Sequence, residues 1–113
     1  MKMIIGLLPD VSAVEILLNN LAEAEFDLRE VSVIARDSRQ RKAIAKEGGP
    51  LKGATLGTLA DRLVEAGLPA EDARLCRNAV AEGKVLVAMA VPPEAEKAAK
   101  EMFQDHAAQL IGE

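Results

Sequence analysis

The chain is poor in aromatic residues, since its 113 residues include two phenylalanines and neither tyrosine nor tryptophan. The large aromatic anchors that dominate many protein interfaces are therefore absent. The stacking platforms that single-stranded nucleic acid needs are absent as well. The hydrophobic core must be built mainly from leucine, valine, isoleucine, alanine and methionine.

Cysteine and histidine each occur once, as Cys76 and His106. One cysteine excludes an internal disulfide and any cysteine-based zinc site. Cys76 lies in the apolar stripe of a predicted helix, where a free cysteine is usually a packing residue. Catalysis by a single histidine needs a positioned partner, and the adjacent Asp105 would not face His106 on a helix. We therefore predict no enzyme activity, no catalytic residue, no metal site and no cofactor.

Long hydrophobic runs are also missing. The apolar run at residues 3–8 has six residues, far fewer than the roughly 20 that cross a bilayer. It also lacks the length and the small-residue cleavage site of a signal peptide. These absences predict a cytoplasmic protein with no membrane partner. The net charge of −4 disfavours nucleic acid as a partner.

Basic residues are concentrated in one segment, because six basic and only two acidic residues lie within residues 36–52. Clustered arginine and lysine beside a glycine-containing loop can hold a phosphate or carboxylate group. The spacing of a P-loop is absent, and a solvated helix face is the alternative interpretation. The candidate anion-binding residues are Arg36, Arg39, Arg41, Lys42, Gly48, Gly49, Lys52 and Gly53.

Four segments have the pattern of β-strands: residues 3–8, 28–36, 84–91 and 108–111. The first and third are apolar on both faces, which is typical of central strands. The second alternates, with Val31 and Val33 on one face and Ser32 on the other, which indicates a half-exposed or edge strand. The fourth is a short final strand.

Apolar stripes at helical spacing separate these strands. The first helix is predicted to start with a capping box formed by Ser12 and Glu15. A later helix, after Pro69, is expected to bury one face. That face consists of Leu75, Cys76, Ala79 and Val80.

The order of these elements predicts an α+β fold of the ferredoxin-like kind, a split βαβ sandwich with a four-stranded antiparallel sheet. Residues 1–113 are expected to form a single domain. Residues 37–83, approximately, are predicted to be a helical insertion between the second and third strands. Its helices are expected to cover part of the sheet or one end of it.

One stretch has a familiar motif: GLPAEDA at residues 67–73, followed by Ala79, Gly83 and the strand KVLVAM at residues 84–89. It resembles the signature of the general stress protein family, also called heat-induced stress proteins, and His106 stands where that family usually has a His-Gly-Ala sequence. The chain departs from the family in lacking an aromatic residue at positions 75–76 and a long glycine-rich middle. The resemblance implies a bacterial stress-associated protein. It implies no particular biochemical activity, because none is agreed for the family.

Two functional hypotheses follow. The first is a non-enzymatic stress-associated or regulatory domain that acts as a homodimer or higher homo-oligomer and binds a protein partner, because edge strands can pair across a dimer. The second is a sensor domain that binds a small anionic ligand at the basic segment 36–53. The second hypothesis rests partly on analogy between folds.

Overall fold

The computed structural model describes residues 2–36, 48–106 and 108–111, which form an α+β fold. The strands of its four-stranded sheet are β1 (Lys2–Leu8), β2 (Val31–Ile34), β3 (Val85–Val91) and β4 (Gln109–Ile111). The helices of the described residues are α1 (Val11–Glu23), α2 (Leu59–Glu65), α3 (Ala70–Ala81) and α4 (Glu96–Asp105). Short 3₁₀ turns at Leu28–Glu30 and Pro93–Ala95 precede β2 and α4.

The strands are arranged in the order β2-β3-β1-β4, and every pairing is antiparallel. β1 and β2 therefore run parallel to each other with β3 between them. In the same way, β3 and β4 run parallel with β1 between them. The two most apolar strands occupy the centre of the sheet, where side chains on both faces are buried. β2 and β4 form its two edges.

Helices pack on both faces of the sheet. On one face, α1 and α4 contribute Leu17 and Phe103 to a core that also contains Val87 of β3. On the opposite face, α2 and α3 contribute Leu63 and Cys76 to a second core. The helices between β2 and β3 therefore form a layer of their own, so that the sheet lies between two helical layers.

β2 is more deeply buried than its sequence predicts. β2 is an edge strand, as one of the two alternatives predicted. None of its four residues is more than 3% exposed, so the alternative of a half-exposed strand was wrong. Ser32 gives the strand an alternating pattern, but its hydroxyl is hydrogen-bonded inside the protein. The strand is also shorter than predicted. It begins after a turn in which Asp27 accepts the backbone N–H of Arg29.

α1 begins earlier than the capping-box motif predicts. The carboxylate of Asp10 accepts the backbone N–H of Ala13 at 2.9 Å, which makes Asp10 the N-cap and Val11 the first helical residue. The prediction based on Ser12 and Glu15 was wrong because an aspartate at this position satisfies the free N–H groups of the first turn.

Candidate functional site

The predicted anion-binding residues do not form a single pocket among the described residues. Arg39, Arg41 and Lys42 lie outside the described residues, so their part of the hypothesis stays a prediction. Of the others, Gly48 and Gly49 pack near the start of β2, whereas Arg36 follows its other end.

Gly48 and Gly49 belong to a loop, Gly48–Leu51, that is held on β2 by Ser32. The Ser32 hydroxyl donates to the carbonyl oxygen of Gly48 at 2.6 Å and accepts the backbone N–H of Leu51 at 2.8 Å. The N–H of Gly49 donates to the carbonyl oxygen of Arg29 at 3.0 Å. A Cβ atom on Gly48 would collide with that carbonyl oxygen, and one on Gly49 would lie 2.6 Å from the backbone nitrogen of Ser32. Close packing therefore accounts for both glycines: Gly48 lies against the turn that precedes β2, and Gly49 lies against β2 itself.

Arg36, Lys52 and Gly53 each have a separate environment. Nη1 of Arg36 donates to the carbonyl oxygen of Ala81 at 3.3 Å, at the C-terminus of α3 where a cation is favoured. The side chain of Lys52 is exposed, and its carbonyl oxygen accepts a hydrogen bond from Arg62 at 3.1 Å. Gly53 adopts φ = +80° in open space. The structure thus gives Arg36 a helix-terminal role.

Cys76 is buried on α3, in the layer between the helix and the sheet. Burial, with a smaller effect from the charge of Asp72, raises the pKa of its thiol to about 11. The thiol therefore stays protonated near neutral pH, whereas the thiolate is the reactive form. In the part of the chain that the structure describes, no cluster of three histidine, cysteine or acidic side chains is placed to hold a metal ion.

The raised pKa predicts a loss of stability at alkaline pH that depends on Cys76. The ordinary pKa of the thiol is 9.0, and its pKa in the folded chain is about 11. Between these two pH values the unfolded chain loses the thiol proton while the folded chain keeps it. The free energy of unfolding should therefore fall as the pH rises through this interval. Urea titrations at a series of pH values should show a shallower fall for Cys76→Ala than for the unmodified chain. Parallel pH profiles for the two chains would contradict this prediction.

β2 and β4 are both edge strands without an outer strand partner among the described residues, but β4 is the more exposed of the two. Gln109 is exposed and Leu110 and Ile111 are half-buried, whereas β2 is buried throughout. β4 pairs with β1 on one side, and its outer side has no strand partner among the described residues. The exposure of β4 is the main difference between the two edges of the sheet.

A groove of about 530 Å³ runs between α3 and β4. The sheet contributes Leu7 and Gln109 to it. The other lining residues are Glu71, Arg74, Leu75, Asn78, Ala79, Glu82 and Lys84. Two acidic and two basic side chains line the groove, so their charges balance and do not select an anionic ligand.

Leu75 projects from α3 into this groove and is 46% exposed. The prediction that Leu75 is buried was wrong. The buried face of α3 is centred on Ala73, Cys76 and Val80, and Leu75 lies to one side of that stripe.

A smaller cleft, of about 70 Å³, lies beside the C-terminal end of β4. Leu110 and Ile111 line it together with Met3, and all three side chains are half-buried. The ion pair between Glu96 and Lys100, with a separation of 3.4 Å, borders the cleft. Both ends of β4 therefore adjoin incompletely filled space that exposes apolar side chains.

Comparison with protein-family models, with curated protein sequences and with solved structures found no match. Among the residues described, no helix is both long enough and apolar enough to cross a membrane.

Proposed function

We propose that this protein is a non-catalytic regulatory domain that acts by self-association, in which β4 pairs with β4 of a second copy. The observation that supports the proposal best is the difference between the two edges of the sheet. β2 is at most 3% exposed, whereas all three residues of β4 are partly or fully exposed. An open edge strand presents backbone N–H and C=O groups that can pair with another chain.

The sequence of β4 favours pairing with an identical strand. Natural sheets protect open edges with very short strands, charged side chains, proline or bulges. β4 is short, but Gln109, Leu110 and Ile111 are neither charged nor proline. Antiparallel pairing about a twofold axis would bring Leu110 opposite its own copy in the partner. Since the strand has three residues, the contact is small. We expect a dissociation constant on the order of micromolar.

We also assign the sheet to the ferredoxin-like arrangement. The strand order supports this assignment, because each βαβ unit contains a strand of the other unit between its own two strands. In this assignment α2 and α3 are an addition that covers the second face of the sheet. From the resemblance to general stress proteins we further propose that the domain acts in the bacterial stress response, in the cytoplasm. A protein partner would then bind at the same edge of the sheet.

The proposal predicts that Ile111→Lys abolishes self-association. Lysine on an edge strand is a device that prevents strand pairing in natural sheets, so the dissociation constant should rise above the micromolar range. Sedimentation velocity over a concentration series spanning the micromolar range should show a monomer–dimer equilibrium for the unmodified chain and a monomer for Ile111→Lys.

The matched control is Ile16→Lys, which makes the same chemical change on α1, where Ile16 is 54% exposed. This variant should dimerise like the unmodified chain. Circular dichroism establishes that both variants fold. A monomeric unmodified chain over the whole series, or equal weakening by both substitutions, would rule out β4 pairing.

A further inference from the structure

We infer that the loop Gly48–Leu51 is an assembly stop: it closes the β2 edge of the sheet, so that self-association ends at the dimer. The inference rests on the proposed function, because a fixed dimer requires that two copies pair through β4. The new claim concerns β2, and the variants described below distinguish a failure of this claim from a failure of β4 pairing.

The topology of the sheet makes such a stop necessary. A sheet with two open edges can pair through β4 and then through β2 of each further copy, which gives an open-ended ribbon. If one edge is closed, pairing through the other edge ends with two copies. The state of β2 therefore decides whether the assembly has a fixed size.

The strand beneath the loop is well suited to unwanted pairing. Residues 31–35, VSVIA, are rich in β-branched side chains and contain neither charge nor proline. Segments of this composition aggregate when they are exposed. In the folded chain the same five residues are buried, although β2 is an edge strand.

Ser32 is the side chain that fastens the loop. It is the one polar residue that is buried among the described residues, and its hydroxyl uses both a donor and an acceptor position on the loop backbone. Leu51, at the end of the loop, is buried in the core beneath α2 and α3. The glycine backbone between these two anchors lies against the start of β2, where Gly49 approaches the peptide unit that joins Val31 to Ser32.

The test is Ser32→Ala, introduced alone and together with Ile111→Lys. Alone, it should convert dimers into species larger than a dimer, because both edges are then open. In the Ile111→Lys background it should convert monomers into dimers that pair through β2. Sedimentation velocity measures both, and Ser12→Ala is the matched control, since Ser12 is exposed on α1.

If circular dichroism shows that Ser32→Ala folds, and if the substitution changes the assembled mass of neither the unmodified chain nor Ile111→Lys, the inference is wrong. If Ser32→Ala does not fold, Ser32→Cys under reducing conditions replaces it, because a thiol keeps the shape of the hydroxyl and forms weaker hydrogen bonds. The same masses are then expected and the same result overturns the inference. A monomeric unmodified chain with a dimeric Ser32→Ala, Ile111→Lys double variant would support the stop and refute β4 pairing.

Discussion

Replacing Gly49 with alanine should lower the free energy of unfolding by about 2–4 kcal/mol. Two costs add. Gly49 adopts φ = +78°, a conformation that disfavours an L-residue with a side chain. In addition, the new Cβ would lie 2.6 Å from the backbone nitrogen of Ser32 and from the carbonyl carbon of Val31, so the loop or the strand must move. Urea denaturation measures the loss.

Gly53→Ala is the control that separates these costs. Gly53 has nearly the same φ, +80°, but its Cβ would meet no atom within 4 Å. Its substitution should therefore cost only the conformational strain, about 1–2 kcal/mol. If the two substitutions cost the same, the close approach of Gly49 to β2 contributes nothing to stability, and the loop is not fastened as described.

Phe103→Ala should lower the free energy of unfolding by about 3–5 kcal/mol, as expected for an aromatic side chain removed from a packed core. Phe103 is fully buried. Gly6 of β1 lets the ring approach the strand, since a Cβ at Gly6 would lie 2.7 Å from Cδ2 of the ring. The carbonyl oxygen of Phe103 also accepts the N–H of Ala108, which leads into β4. This backbone hydrogen bond joins the end of α4 to β4, so a shift of α4 after loss of the ring should loosen β4 as well.

The matched control is Phe26→Ala, because Phe26 is the other phenylalanine and is only partly buried at the border of the same core. Phe26→Ala should lower the free energy of unfolding by less, because less of the Phe26 side chain is buried and water already reaches the site. Urea denaturation of both variants gives the comparison. A loss for Phe26→Ala as large as that for Phe103→Ala would contradict the assignment of Phe103 as the main anchor of α4.

Several features of the fold follow from local patterns in the sequence. Apolar runs at residues 3–8 and 84–91 predict strands because both faces of a central strand are covered, and these segments agree with β1 and β3 to within one residue at each end. Pro69 and Gly83 bracket α3 because proline suits the start of a helix and glycine its end. Such signals need no knowledge of distant residues.

Other features depend on contacts between distant parts of the chain. Ser32 gives β2 the pattern of a half-exposed strand, and only its hydrogen bonds to Gly48 and Leu51, 16 and 19 residues away, make it a buried residue. Gly48 and Gly49 look like a ligand loop for the same reason: their packing partner is β2, which the sequence places far from them. The glycine pair therefore indicates a close approach of the backbone, but the sequence does not show which segment it approaches.

The exposure of β4 also could not be predicted from its local sequence. A short final strand with one polar and two apolar residues is compatible with any position in a sheet, and Leu75 is apolar like its buried neighbours on α3. The exposure of Leu75 becomes visible only when α3 is placed over the sheet and leaves a groove beside β4.

Hydrogen exchange at low and high protein concentration is the most direct test of a sheet with one open and one closed edge. Amides that form strand pairs are protected, so the method reports on each edge separately. When the concentration rises through the dissociation constant, exchange at Gln109–Ile111 should slow, while exchange at Val31–Ile34 should stay the same. Unchanged exchange in β4, or new protection in β2, would contradict self-association through the β4 edge.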